Sequence, residues 1–292
     1  MPSSKVSVAG VNVTLSWPPS LSSSSVLNTS VISSTPSSIK GVVFLLPGAM
    51  ISISEYNNIR NVILEQNQLV VSLLMNVLWP IRDNHRKHAK NVKKVFDGLK
   101  SIYKEELSKI NMYTIIGHSV GGKVGLLIAS IIDSRRVSSV LALDPVDINS
   151  VEFTNKRGSN LSLPSNGGED EKDSTSLGIA ITATCSDEKA ADEDDFVHIK
   201  PEEEQSDMNT TTNIVLTCTD GGRGIPKAHN AHSIHILHPA TTYYHHKHAG
   251  HMAYCDNGGG SWAGKLMPDI GTSEGNDKAR ESTYELIRQI LD

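Results

Sequence analysis

The hydrophobic positions in the middle of the chain form short, continuous apolar runs that alternate with segments of helical spacing. Runs of this length are typical of strands that are buried on both faces of a sheet. They predict strands at residues 41–48, 69–76, 112–119 and 137–144. Strands that alternate with helices indicate a parallel arrangement, so we predict an α/β fold: a mostly parallel central sheet with helices on both faces.

Helical spacing of apolar residues predicts the layers that cover this sheet. The predicted helices span residues 54–66, 85–107, 123–132 and 279–291. Gly121 and Gly122 open the third helix, and the fourth is an amphipathic helix that closes the chain.

The two flanks of the central pattern differ from it. Residues 6–17 alternate apolar and polar positions and stop at Pro18 and Pro19, which predicts one half-buried edge strand. Towards the C-terminus we predict three further strands, at residues 177–184, 212–219 and 233–244.

Composition indicates one folded domain over residues 1–292. The chain is 38% hydrophobic and, with its 22 glycines added, lies near the globular average; α/β folds often use this length for a single domain. Residues 187–207 carry about ten carboxylates and two lysines, a composition too polar to pack. We therefore expect a disordered acidic insertion at about residues 186–208.

Charge and cysteine content narrow the classes of partner. A net charge of −5 argues against nucleic acid, which requires a concentrated basic face. No apolar stretch is long enough for a transmembrane helix, although peripheral membrane contact stays open. The cysteines, Cys185, Cys218 and Cys255, lie too far apart for a disulfide framework or a C-x-x-C motif. Nothing in the sequence indicates an oligomeric state.

A G-x-S-x-G motif lies between the third predicted strand and the glycine-opened helix. It comprises Gly117, Ser119 and Gly121, and an apolar strand enters it while an apolar helix leaves it. This context is that of a nucleophile elbow, in which a serine on a sharp turn exposes its hydroxyl group. A serine hydroxyl is a weak nucleophile at neutral pH, so Ser119 requires a histidine base and an acid that orients the histidine.

The acid has three candidates at or near the ends of predicted strands. Asp144 ends the strand after the elbow helix and precedes Pro145. Asp220 ends a later strand, and Asp147 lies three residues beyond Asp144. We rank Asp144 first, then Asp220 and then Asp147.

The base must come from a histidine-rich segment near the C-terminus. His251 follows Gly250 in a loop ahead of the last helix, where small neighbours allow the ring to reach the sheet edge. His248 is the alternative. The segment HHKHAGH also raises the possibility of a metal site, but it lacks H-E-x-x-H and a completing carboxylate or cysteine pattern, so we predict no metal and no cofactor.

The oxyanion of an acyl-transfer reaction requires two backbone N–H donors. The residue after the nucleophile, Val120, supplies one. The second is expected from the loop after the first central strand, LLPGAM, from Ala49 or alternatively Met50, because Pro47 has no N–H group.

Together these motifs resemble those of the α/β-hydrolases and, within them, the chlorophyllases. GHSVGGK is similar to the chlorophyllase elbow, LALDPVD to its Asp-Pro-Val strand end, and GHM to its histidine segment. The resemblance covers about residues 41–256 and implies Ser119 as nucleophile, Asp144 as acid and His251 as base. Val120 stands where plant chlorophyllases usually carry arginine, and LLPGAM differs from their more common strand end.

By this resemblance the chain is expected to be a serine ester hydrolase that converts chlorophyll to chlorophyllide and phytol. It also implies a chloroplast location. Two other functions stay open: a general carboxylesterase or lipase acting on another hydrophobic ester, and a catalytically silent hydrolase fold that binds a ligand.

Overall fold

The computed structural model describes residues 3–19, 39–49, 51–73, 85–145, 151–154, 182–185, 212–220, 241–256 and 271–292. Eight strands form one sheet in the order β1-β2-β4-β3-β5-β6-β9-β10. These strands are β1 (Ser3–Val8), β2 (Val11–Ser16), β3 (Gly41–Leu46), β4 (Gln68–Leu73), β5 (Tyr113–His118), β6 (Val137–Leu143), β9 (Asn213–Thr219) and β10 (Thr242–His246). From β4 to β10 the neighbours pair in parallel, and β2 is antiparallel to both β1 and β4.

Helices pack on both faces of the sheet, as the sequence predicts. The described helices are α1 (Asn57–Glu65), α2 (His85–Ile102), α3 (Lys104–Leu107), α4 (Val120–Leu127) and α5 (Ser273–Leu291). Side chains alternate along β3, so that Phe44 packs in one apolar cluster and Leu45 in the other. The Phe44 cluster includes residues of α2 and α4, and the Leu45 cluster includes residues of α1 and α5.

The parallel strands bring their carboxyl ends to one edge of the sheet. Leu46 pairs with Gly117, His118 with Leu143, and Leu143 with Thr217. The residues that follow β3, β5, β6, β9 and β10 therefore lie at one edge, and the predicted site residues that the structure describes come from the segments that follow these strands.

The N-terminal edge differs from the prediction of one strand over residues 6–17. The segment is a hairpin in which Val8 pairs with Val11. Ala9 and Gly10, between the strands, both have positive φ, +50° and +77°, as in the two-residue turns that match strand twist. The apolar positions change from even numbers, Val6 and Val8, to odd numbers, Val11 and Val13, across the turn. The prediction of one strand overlooked this change of phase.

Two C-terminal strand predictions are only partly matched. Residues 182–185 form β8 (Thr182–Cys185), which pairs with β7 (Val151–Thr154) in a separate antiparallel ribbon. The strand predicted at residues 233–244 corresponds to β10, which begins at Thr242. The remaining residues of both predictions, 177–181 and 233–240, lie outside the described residues, as does the predicted acidic insertion.

Helix boundaries also differ where local signals were missed. The helix predicted over residues 85–107 breaks at Tyr103, whose ring packs edge-to-face on Trp17 at 5.0 Å. The last helix begins at Ser273 rather than at residue 279, because the Thr272 hydroxyl accepts a hydrogen bond from the Gly275 N–H at 3.0 Å. After α4 the chain continues as a π-helical turn, Ile128–Ile132.

A cavity of about 410 Å³ lies at the amino ends of β3 and β5, between Lys40 and Lys109. It is at the opposite edge of the sheet from Ser119. Among the described residues, no helix combines the length and the apolar character that crossing a membrane requires.

Candidate active site

Ser119 occupies the sharp turn between β5 and α4. Its backbone has φ +55° and ψ −122°, a strained conformation for a residue with a side chain. The Ser119 N–H donates to the Leu143 carbonyl at 2.9 Å, and the Ser119 carbonyl accepts the first helical bond, from Lys123 N–H at 3.2 Å. This is the strand-turn-helix context that the G-x-S-x-G motif predicts.

The glycines on either side of Ser119 allow the helix to approach the sheet. A Cβ atom on Gly117 would overlap with the Gly121 carbonyl group, and one on Gly121 would overlap with the Leu46 carbonyl. Both neighbours are backbone atoms that cannot move aside. The small residues of the motif therefore have a steric cause in the packing of α4 against β3 and β5.

Asp144 and His251 meet at the carboxyl edge of the sheet. The His251 Nδ1 atom lies 2.7 Å from Asp144 Oδ2, and both side chains are almost completely buried. Asp144 directly follows β6, and His251 begins a 3-10 helix, His251–Tyr254. A carboxylate that binds Nδ1–H fixes the histidine tautomer, which leaves Nε2 as the ring atom able to accept a proton.

Hydrogen bonds keep Asp144 ionised in spite of its burial. Burial alone would raise the pKa of Asp144, but hydrogen bonding and charge at His251, with a 2.6 Å bond from the Thr219 hydroxyl, lower it below its ordinary value. The Asp144 N–H donates to the Thr217 carbonyl at 3.0 Å, so β9 supports both the backbone and the carboxylate.

The other predicted acids and the alternative base are found elsewhere or lie outside the described residues. Asp220 accepts from the backbone N–H of His248 at 2.6 Å and pairs with the exposed ring of His245 at 2.9 Å. The side chain of His248 is exposed. Asp147 lies outside the described residues. His251 is therefore paired with Asp144, whereas Asp220 binds His245 and the backbone of His248 and so stabilises the loop after β10.

The loop after β3 lies against Ser119. A Cβ atom on Gly48 would be 3.2 Å from Ser119 Cβ, and the loop turns back through a bond from Ile51 N–H to the Gly48 carbonyl at 3.3 Å. The Gly48 N–H donates to the Tyr56 hydroxyl at 3.0 Å, so it is not available to an oxyanion. Ala49 follows it, whereas Met50, the alternative donor, lies outside the described residues.

The other predicted donor, Val120, is at the start of a helix. Val120 is the first residue of α4, and the first N–H groups of a helix have no partner within the helix. The amides of Ala49 and Val120 therefore belong to two segments that meet at Ser119.

Ser119 and His251 are related through the residue that precedes the serine. Within the described segments, the Ser119 hydroxyl makes no hydrogen bond to His251. The ring of His118, the residue before Ser119, lies 4.7 Å from the His251 ring, centroid to centroid. Bonds between nucleophile and base are often long in the absence of substrate and shorten in the complex.

His118 is a site residue that the sequence analysis missed. It is the variable position of the motif, and its ring is fully buried beside His251 and Tyr56. Burial, and then the charge at His251, lower the pKa of His118 to about 3. The sequence signal for the burial of His118 was its place at the end of β5, an apolar strand without Asp, Glu, Lys or Arg.

The described residues contain no group of three or more His, Cys, Asp or Glu side chains suited to a metal ion. The histidines of the C-terminal segment diverge instead: His245 contacts Asp220, His251 contacts Asp144, and His246 packs against Tyr254.

Comparisons with known proteins identify the fold. No protein-family profile and no curated protein matches the chain. An α/β-hydrolase enzyme from a Medee basin deep-sea metagenome library superposes with a TM-score of 0.55 at 13% identity, over 100% of this chain and 98% of that chain. A dienelactone hydrolase-like promiscuous phosphotriesterase from metagenomic libraries gives 0.54 at 9% identity, over 99% and 98%. A predicted CIB-like hydrolase from Thermoplasma acidophilum gives 0.50 at 11% identity, over 99% and 98%.

The chain therefore has the α/β-hydrolase fold, as the sequence predicts. At these identities the likeness defines the fold alone, and function must be argued from the site.

The buried, neutral His118 leads to a prediction about acid stability. Its pKa of about 3 in the folded chain lies below the ordinary 6.5, so the unfolded chain takes up a proton between these values and the folded chain does not. The free energy of unfolding should therefore fall as the pH drops from 6.5, by on the order of 1 kcal/mol per pH unit for this proton. Because the pKa of Asp144 is also lowered, the free energy of unfolding should decrease further below about pH 3.8.

Denaturant unfolding at a series of pH values measures this loss. In His118→Asn, the slope of the free energy of unfolding against pH between about 6 and 4 should decrease by one proton's contribution. An unchanged slope would mean that His118 takes up its proton in the folded chain as well.

Proposed function

We propose that this protein is a serine hydrolase that cleaves carboxylic esters through an acyl-enzyme. The observation that carries the proposal is the buried 2.7 Å pair of His251 Nδ1 and Asp144 Oδ2 at the same sheet edge as the strained Ser119 turn. A buried imidazole–carboxylate pair beside an elbow serine is the arrangement that activates a hydroxyl group.

In the first half of the reaction, Ser119 Oγ attacks the ester carbonyl carbon while His251 Nε2 takes the hydroxyl proton. The carbonyl oxygen becomes an oxyanion, which the N–H groups of Ala49 and Val120 stabilise. The ester C–O bond then breaks, and the proton on His251 passes to the leaving alkoxide, which departs as an alcohol. Asp144 stabilises the imidazolium that exists between these steps.

In the second half, water replaces the alcohol. His251 removes a proton from water, the resulting hydroxide bonds to the acyl carbon, and the Ser119 Oγ–acyl bond breaks with return of the proton to Oγ. The products are a carboxylic acid and the free enzyme. No metal or cofactor takes part in the proposed reaction.

The ester we propose first is the phytyl ester of chlorophyll, with chlorophyllide and phytol as products. This finer proposal rests on the resemblance of three motifs to those of chlorophyllases, those around Ser119, Asp144 and His251. The reaction would leave the acyl group of the tetrapyrrole on Ser119 and release phytol as the alcohol. A carboxylesterase or lipase acting on another hydrophobic ester would use the same residues.

The proposal is tested with purified protein and two classes of substrate. Hydrolysis of p-nitrophenyl acyl esters is followed by absorbance, and chlorophyll a is incubated in parallel and analysed for chlorophyllide by chromatography. A fluorophosphonate reagent should form an adduct that peptide mapping assigns to Ser119.

The possible results separate the alternatives. Chlorophyllide formation supports the phytyl ester, and turnover of the p-nitrophenyl esters alone supports the general esterase. A protein that hydrolyses neither substrate and leaves Ser119 unlabelled is a catalytically silent hydrolase fold, and the proposal is then wrong.

A further inference from the structure

Three buried hydrogen bonds join the loop beside Ser119 to the segment that carries His251. The Gly48 N–H lies 3.0 Å from the Tyr56 hydroxyl. The Tyr56 hydroxyl lies 2.7 Å from His118 Nδ1, and His118 Nε2 lies 2.9 Å from the His251 carbonyl oxygen. The side chains of Tyr56 and His118 are both fully buried, so no water competes for these bonds.

The partners determine the direction of every bond in this chain. The His251 carbonyl can only accept, so His118 Nε2 carries a proton and donates it. His118 is neutral because its pKa is lowered to about 3, so Nδ1 is an acceptor and Tyr56 donates to it. The Tyr56 oxygen then accepts from the Gly48 N–H. Burial raises the pKa of Tyr56 well above its ordinary value, so the hydroxyl keeps its proton.

The segment that carries Tyr56 is also joined to the segment that carries His251 through Asp256. The Asp256 N–H donates to the Glu55 carbonyl at 2.8 Å, and the Asp256 carboxylate accepts from the Asn58 N–H near the start of α1, at 3.2 and 3.3 Å. Residues 53–58 and 251–256 are therefore held together by bonds to Glu55, before Tyr56, and to Asn58, after it.

Neutrality of His118 matters for the base because the two rings are close. A positive charge on His118, 4.7 Å from the His251 ring, would oppose the imidazolium that His251 forms during the reaction. A neutral ring that donates to the His251 carbonyl positions the base without this penalty.

We propose that Tyr56 and His118 are positioning residues for hydrolysis. Their hydrogen bonds fix the position of the loop at Gly48 relative to the backbone of His251, so that both lie correctly around Ser119. The proposal rests on the proposed function, since it assigns a role within that reaction. Neither side chain is required to contact the substrate. Their action on the rate comes through the placement of the Ala49 N–H and the His251 ring.

Tyr56→Phe is the variant that tests this role, because it keeps the ring and removes only the hydroxyl that links Gly48 to His118. We expect kcat to fall on the order of 10- to 100-fold, since small misplacements of reacting groups cost this much, while KM stays within about threefold. The measurement is steady-state hydrolysis of a p-nitrophenyl ester, with thermal unfolding recorded on the same samples.

Tyr113→Phe is the matched control. Tyr113 is equally buried and donates to Asp133 Oδ2 at 2.9 Å, but it lies at the amino end of β5, away from Ser119. It should lose stability as Tyr56→Phe does and keep kcat within about twofold of the unsubstituted protein. Equal kcat values in the two variants, or a change in KM alone, would overturn the positioning role and leave the proposed function standing.

If Tyr56→Phe does not fold, a spectroscopic measurement tests the positioning role instead. NMR of the histidine ring nitrogens in the unsubstituted protein should show His118 neutral with its proton on Nε2 from about pH 5 to about pH 8. The signal is assigned by its absence in His118→Asn. A proton on Nδ1, or a charged ring, would mean that His118 Nδ1 cannot accept the hydrogen bond from Tyr56, and the proposal would be refuted. Failure of the unsubstituted protein to hydrolyse any ester or to be labelled at Ser119 would instead refute both proposals together.

Discussion

Substitution of Ser119 by alanine is expected to lower kcat/KM for ester hydrolysis by roughly 10⁴ to 10⁶, the loss that follows removal of a triad nucleophile. Alanine removes the one atom that bonds to the acyl group. The fold should persist, because Ser119 is held by backbone bonds to Leu143 and Lys123 rather than through its hydroxyl. Steady-state kinetics measures the loss, and circular dichroism shows that the variant is folded.

Ser139→Ala serves as the control for Ser119→Ala. Both serines are 7% exposed, but Ser139 lies in the amino-terminal half of β6, away from the carboxyl edge of the sheet. The activity of Ser139→Ala should equal that of the unsubstituted protein. If Ser119→Ala retains more than about a tenth of the activity, the acyl-enzyme route through Ser119 is wrong, because hydrolysis would then proceed without the hydroxyl that carries the acyl group in that route.

Asp144→Asn is expected to lower kcat by about 10⁴-fold, since an amide no longer favours the His251 tautomer with a free Nε2 and no longer stabilises the imidazolium. The side chain keeps its size, and the Thr219 hydroxyl can still donate to the amide oxygen. The loss should therefore appear in kcat, with KM little changed.

Asp220→Asn separates the two strand-end acids. Asp220 contacts exposed His245 and the backbone of His248, so its substitution should leave kcat within about threefold of the unsubstituted protein and lower stability slightly. The reverse result, a large loss at Asp220 and a small one at Asp144, would show that the loop carrying His251 rearranges during the reaction and that the later strand supplies the acid.

The sequence was informative wherever one residue type is demanded by local geometry. The apolar runs predicted the inner strands because a strand buried on both faces must be apolar throughout. The motif around Ser119 predicted the turn because glycine alone fits at Gly117 and Gly121, where any Cβ atom would meet a backbone carbonyl. By contrast, the Ala9–Gly10 turn was missed, because its only sequence signal is a shift of the apolar positions by one residue between Val8 and Val11.

The choice among acids illustrates what local pattern could not decide. Asp144 and Asp220 both follow predicted strands at the same edge, so the sequence ranked Asp144 first but left Asp220 as an alternative. They differ in which histidine reaches them, and that depends on the path of the chain from β10 through residues 247–251. Only the folded chain turns His251 inward to Asp144 and leaves His245 outside with Asp220.

The sequence by itself determined the inner strands, the helices between them and the turn that presents Ser119, because each of these depends on residues that are near one another in the chain. Tertiary structure alone decided the pairing of Asp144 with His251 and the burial of His118 between Tyr56 and His251. These groups are separated by 107 residues in the first case and by 62 and 133 in the second. Contacts over such distances depend on how parallel strands align their ends, which no local pattern encodes.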